Sequence, residues 1–152
     1  MTKLADYQPL IEQIRTAGAY DLVAIALVEP AENQYLLKWK YASGNLNDRF
    51  KKVILQTGKG IAGMVFKTGK PLLLEDTSDL ADSANLFNYP ILIFERLKSM
   101  GAVPLWHNGR VAGVLLAGYR GSSQMTEEKL HYLKQQASKG IGELNGKELM
   151  LH

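Results

Sequence analysis

Cysteine is missing altogether from the 152 residues, and that absence removes several kinds of chemistry at once. There can be no disulfide, no thiolate metal site, no cysteine nucleophile and no thioether-linked cofactor. Long apolar runs are missing too: no window reaches the ~18 consecutive apolar residues that a membrane-spanning helix needs, so no membrane partner is expected. The opening Met1-Thr2-Lys3-Leu4-Ala5-Asp6 has one cation and no apolar stretch. It does not read as a signal peptide, and the cytoplasm is the expected compartment. An excess of one charge is lacking as well, since the formal net charge is only +3. The one dense basic run, Arg49-Phe50-Lys51-Lys52, is narrower than a nucleic-acid face and reads as a solvated loop or edge. The three histidines, His107, His131 and His152, are far apart and lack metal-ligand spacing.

What is present suits one domain spanning residues 1–152. Hydrophobic residues make up 46% of the chain, ordinary for a globular core. Leu4, Tyr7, Leu10, Ile11 and Ile14 recur at helical spacing, with Gly18 placed to end that helix. Leu22–Val28 reads as a buried strand, Pro30-Ala31-Glu32-Asn33 as a turn and Tyr35–Ala42 as the returning strand. Residues 43–48 read as a loop, Lys52–Gln56 as a short strand, Gly60–Lys67 as a short helix and Leu72–Glu75 as another strand. Asp76–Phe87 is polar and irregular, a long loop of the sort that often serves function. Tyr89-Pro90 opens a third helix running to about Lys98, because proline is favoured at the first helical position. Ser99–Trp106 and Arg110–Tyr119 are strands joined by Asn108-Gly109, a type I′ hairpin signal. Thr126 caps a last helix running to about Leu149, with the apolar stripe Leu130, Leu133, Ala137, Ile141 and Leu144. This order predicts an α+β fold: an antiparallel sheet of about six strands with helices on its faces.

Gly58-Lys59-Gly60-Ile61-Ala62-Gly63 fits the G-x-G-x-x-G dinucleotide fingerprint letter for letter, with Glu75 and Asp76 downstream. The context fails it. The following helix is stopped by Gly69-Lys70-Pro71 after about two turns, too short to cross a parallel sheet, and the hairpins downstream demand antiparallel pairing. Two readings of the glycines remain open. They make a tight turn and close packing, or they bring a ligand close to a helix start whose free N–H groups and dipole favour an anion. A second helix start, at Tyr89-Pro90-Ile91, lies among Leu86, Phe87 and Leu92. So apolar a start should be buried, and its N–H groups then need a partner: a small anion, a backbone carbonyl or a water.

The layout resembles GAF domains over the whole chain. Four segments resemble the NreA-type bacterial nitrate receptors within that family: Trp39-Lys40-Tyr41-Ala42-Ser43-Gly44-Asn45, Leu55 to Gly63, Leu86-Phe87-Asn88-Tyr89-Pro90-Ile91, and Gly113 to Arg120. The Gly-Lys-Gly-Ile-Ala-Gly and Thr-Gly-Lys-Pro pieces recur broadly in GAF domains and bear on fold. The Trp39 and Leu86–Ile91 segments are narrower and bear on ligand. The resemblance implies a small closed cavity holding one nitrate, lined by Trp39, Ile61, Ala62, Tyr89, Pro90 and Ile91. It gives Ile61, Ala62 and Ile91 the role of backbone N–H donors, makes Trp39 a wall with an indole N–H, and lets Tyr89 close the cavity. It further implies no catalysis and no cofactor beyond the nitrate ligand. The partner it implies is a sensor histidine kinase of a two-component system governing nitrate respiration. GAF enzymes that reduce methionine sulfoxide use cysteine, which is absent. The alternative is a ligand-free GAF module for dimerisation or kinase docking, supported by the near-heptad stripe of the last helix.

Overall fold

The structure, a computed structural model, describes residues 7–77 and 88–139. Leu4, Ile141, Leu144 and most of the polar 76–87 stretch therefore lie outside the described residues. The elements in chain order are α1 (Tyr7–Gly18), β1 (Leu22–Ala31), β2 (Gln34–Ser43), a 3-10 turn (Arg49–Lys52), β3 (Ile54–Gln56), α2 (Gly60–Thr68), β4 (Leu72–Leu74), α3 (Pro90–Phe94), β5 (Ser99–His107), β6 (Arg110–Tyr119) and α4 (Glu127–Ser138). The six strands form one sheet in the order β3-β2-β1-β6-β5-β4, and every neighbouring pair is antiparallel. The expected α+β layout is the observed one. At the β5–β6 turn, Asn108 and Gly109 both take positive φ, 54° and 78°, as the Asn-Gly signal requires.

Strand periodicity divides the core in two. On β1, Leu22, Ala24 and Ala26 face one cluster, while Val23 and Ile25 face the other. The second face is covered by α1, through Tyr7, Ile11 and Ile14, and by α4, through Leu130, Leu133 and Ala137. The α4 stripe thus covers the sheet over its described length. The first face is covered by α2, through Ile61, Ala62 and Val65, and by α3, through Ile91 and Leu92.

Four local expectations are corrected. Pro30 lies within β1, not in the turn. It can do so because β6 pairs only with Leu22–Leu27, leaving one side of Pro30 without a ladder. Gly18 is the last helical residue, and Ala19, at φ 53°, takes the left-handed position that ends α1. Glycine is required at 18 for another reason, since a Cβ there would lie 2.3 Å from the Tyr20 ring. Lys52 belongs to the 3-10 turn, in which Phe50 is buried while Arg49, Lys51 and Lys52 stay exposed. The helix opened by Pro90 stops at Phe94 instead of reaching Lys98. Arg96 turns left-handed at φ 54°, its N–H donates to Ile93 O (3.2 Å), and Leu97 N–H donates to Leu92 O (3.0 Å). These bonds close a Schellman motif that satisfies the last carbonyls. The chain must leave the helix there, because Lys98 N–H already donates to Tyr119 O at the end of β6.

Candidate functional site

The glycine-rich turn folds back on itself. Lys59 N–H donates to Gln56 O (2.9 Å), and Gly58 N–H donates to Gly63 O (2.8 Å). Gly58 and Gly60 hold positive φ of 81° and 66°, a region glycine enters without strain. Gly63 is fixed by packing, since a Cβ there would lie 2.4 Å from the Gln56 carbonyl oxygen. All three glycines are therefore explained by the turn itself, and the motif marks the fold. The close packing has a consequence: it drives the start of α2 into the core. Gly60, Ile61, Ala62 and Gly63 are all buried. Lys59 at the N-cap is extended and exposed, with no side-chain capping bond. The first-turn N–H groups of a helix have no intrahelical acceptors, so this is a buried start without a side-chain cap.

The second helix start repeats the arrangement. Tyr89 occupies the N-cap without a side-chain bond, and Pro90 follows at the first helical position with no N–H to satisfy. Leu92 N–H donates to Tyr89 O (3.0 Å). Ile91 is buried, whereas Tyr89 and Pro90 are half-buried.

Trp39 reaches the same cluster from β2, and a β-bulge aims it there. Ile25 pairs with Tyr41 and Ala26 with Trp39, so Lys40 is an extra residue without a partner across the ladder. The bulge breaks the alternation. Trp39 packs in the first core, while Tyr41, two residues on, faces the second and stacks on Tyr7 with ring centroids 5.2 Å apart. Trp39 is 1% exposed, and its indole Nε1 has no hydrogen-bond partner among the described residues. A buried donor left unpaired costs ~1–3 kcal/mol. Trp39, Ile61, Ala62 and Ile91 share one cluster, with Tyr89 packed against it. Pro90 adjoins them through its place at the start of α3. No Lys or Arg is buried among the described residues. Any anion held here would have its charge offset by N–H groups and a helix dipole.

A second feature escaped the sequence reading. Glu95, which follows α3, is wholly buried; its Oε1 accepts Leu46 N–H (2.9 Å) and pairs with the Arg120 guanidinium. Arg120 Nε donates to Glu95 O (2.7 Å), and Arg120 N–H donates to Asp21 Oδ2 (2.8 Å). Glu95 Oε2 is buried without a partner among the described residues. The signal was available. Glu95 lies four residues after Ile91 and three after Leu92, so it shares their apolar face and must be paired. No group of three or more His, Asp or Glu is placed to hold a metal ion among the described residues.

A family model for the GAF domain matches residues 7–139. No curated protein sequence matches the chain. Among solved structures, NreA protein from Staphylococcus aureus mutated in its nitrate-binding site is 40% identical, with a TM-score of 0.75 over 80% of this chain and 88% of that one. A further mutated NreA structure is 36% identical, with a TM-score of 0.73 over 83% of this chain and 96% of that one. The free methionine-R-sulfoxide reductase of Neisseria meningitidis is 22% identical, with a TM-score of 0.69 over 88% of this chain and 72% of that one, a likeness of fold alone.

Proposed function

This chain belongs to the GAF domain family, and on that premise we propose that it is a nitrate-binding sensor without catalysis of its own. The observation that carries the reading is Trp39: a wholly buried indole N–H without an acceptor among the described residues, in the cluster that also holds two helix starts lacking side-chain caps. The nitrate-binding NreA relatives at 36–40% identity support the choice of ligand.

In this reading the backbone N–H groups of Ile61, Ala62 and Ile91 donate to the nitrate oxygens, and the positive end of the α2 dipole offsets the charge. The Trp39 indole N–H adds a side-chain donor, and Tyr89 and Pro90 close the outer side. Nitrate is flat, singly charged and weakly basic. Backbone donors hold such an ion without a buried cation, whose desolvation would be costly. Apolar walls disfavour the more strongly hydrated phosphate and sulfate. The reading extends to a cytoplasmic role in nitrate respiration, in which the domain reports nitrate to a sensor histidine kinase.

Calorimetric titration of anion-free protein with nitrate, nitrite, chloride and iodide tests the site. Nitrate should bind tightest. Equal binding of iodide would make this a general site for weakly hydrated anions, and no heat with any of the four would sink the reading. Linkage tests the signalling half: a kinase that reads nitrate must change nitrate affinity by the same factor by which nitrate changes kinase affinity.

A further inference from the structure

Outside the buried cluster, α3 and the loop after β2 enclose a surface cleft of about 550 Å³, lined by Leu46, Asn47, Arg49, Ile93, Phe94 and Arg96. Its apolar floor is formed by Leu46, itself 49% exposed, with Ile93 and Phe94. Arg49 and Arg96 are both exposed, and neither forms an ion pair among the described residues. Lys51, Lys52 and Lys98 are exposed close by in sequence, with Asp48 the exposed acid beside Arg49. A floor of exposed Leu46 with half-buried Ile93 and Phe94, between guanidinium groups without ion-pair partners among the described residues, is complementary to an apolar side chain flanked by carboxylates.

Arg96 adds a separate reason. It occupies the left-handed position of the Schellman motif at φ 54°, where glycine or asparagine fits with less strain. An arginine kept in strained backbone points to a role for its side chain. The cleft is also wired to α3. Glu95 holds Leu46 N–H at 2.9 Å from the residue just after the helix, so the two walls of the cleft are tied through one buried carboxylate.

We infer that this cleft is the surface on which a partner protein docks, through an acidic segment that seats one large apolar side chain against Leu46, Ile93 and Phe94 and sets carboxylates on Arg49 and Arg96. The inference rests on the sensor reading above and deepens it: an anion that orders the start of α3 orders one wall of the cleft, and Glu95 carries that order to the other. A nucleic acid does not suit the surface, because phosphates have no use for the apolar floor.

The test uses a fluorescein-labelled helical peptide with Glu and Leu at i, i+3, i+4 spacing. Two controls carry Lys for Glu or Ser for Leu, and binding to the full chain is read by anisotropy with and without nitrate. The Glu/Leu peptide should bind about tenfold tighter than either control, and tighter with nitrate than without. Arg49→Glu and Arg96→Gly should each weaken it about tenfold or more. Arg96→Gly should keep or raise Tm, because glycine suits the left-handed position, which separates docking from folding. Equal binding of the Glu and Lys peptides, or undiminished binding by both variants, overturns the proposal. So does sedimentation showing that Arg49→Glu breaks a homodimer, since the cleft would then belong to a second copy. A nitrate-induced rise in Tm is scored separately: kept while docking fails, it sinks the docking surface alone; absent while docking persists, it sinks the nitrate reading.

Discussion

Replacing Trp39 by phenylalanine separates a ligand donor from an ordinary core residue, because the two roles predict different pairs of results. Trp39 is 1% exposed and its Nε1 has no partner among the described residues. Shrinking it to Phe removes roughly 40 Å³, which at ~24 cal/mol per Å³ of cavity costs about 1 kcal/mol. Lost apolar burial adds about 1 kcal/mol more. Against this, the substitution removes an unsatisfied buried donor, a relief of ~1–3 kcal/mol. The terms nearly cancel, so the anion-free variant should melt within a few degrees of the parent, at ~2–4 °C per kcal/mol for a domain of this size. The bound state differs. A hydrogen bond to a charged acceptor is worth ~1.5–3 kcal/mol, so nitrate affinity should fall about tenfold to a hundredfold. The assay is thermal melting with and without nitrate, followed by calorimetry on the same preparations. A variant that binds nitrate within a few-fold of the parent would refute the donor role of Trp39. If it also melted well below the parent, Trp39 would be plain core.

Lys59→Ala should change nitrate affinity only slightly, because Lys59 is exposed and extended at the N-cap; loss of binding in calorimetry would mean that a side-chain cation holds the ligand. Gly63→Ala drives a Cβ to within 2.4 Å of the Gln56 carbonyl oxygen and should cost about 1–3 kcal/mol or more, as overpacking does, read as a lower midpoint in urea. Glu95→Ala takes the carboxylate from the Arg120 guanidinium, which keeps its backbone bond to residue 95, and from Leu46 N–H; it should cost about 3 kcal/mol, at the low end for breaking a buried pair, a fall in Tm of roughly 10 °C at this domain size. Tyr20→Phe removes the bond from its hydroxyl to Lys129 O (3.0 Å) and should cost about 1 kcal/mol at neutral pH. Burial, then the neighbouring Tyr119 and Tyr132, push the Tyr20 hydroxyl above its usual pKa. A raised native pKa gives stability that is present below the unfolded value of about 10 and lost as pH rises above it. The deficit of the Phe variant should therefore narrow in melts taken above pH 10.

Much of the fold was legible because its signals are local. Asn108-Gly109 dictates a two-residue hairpin, and Pro90 dictates a helix start. The near-continuous apolar runs of β1 and β6 dictate a sheet covered on both faces. What was not legible depends on contacts distant in sequence. Nothing within residues 89–98 alone says that α3 must stop at Phe94; the stop is imposed by Lys98 pairing with Tyr119. Tyr20, two residues on, lies over Gly18 because distant partners hold its ring there: Tyr119 beside it and Lys129 O on its hydroxyl. The bulge at Lys40 is hidden for the same reason. Strict alternation from Leu37 puts Trp39 and Tyr41 on one face, whereas the pairing of Ala26 with Trp39 puts them on opposite faces.

If the proposed site holds the ligand, that bulge decides which residues can confer specificity. The glycines of the 58–63 turn are all occupied by the turn: two by left-handed backbone and one by contact with Gln56. Any chain that makes this turn and this packing needs them, whatever it binds, so they cannot distinguish one ligand from another. What the turn leaves behind is a buried helix start with backbone donors, which is general to anions. Selection among anions must then come from what faces those donors. In the site proposed above, that would be Trp39 on β2, placed by an extra residue in the strand, and Tyr89 and Ile91 on α3, placed by Pro90. In the proposed site, a substitution at Trp39 or Tyr89 should alter the ligand while the sheet, the glycine turn and α2 stay as they are. A substitution at Gly63 damages the fold before it reaches the ligand.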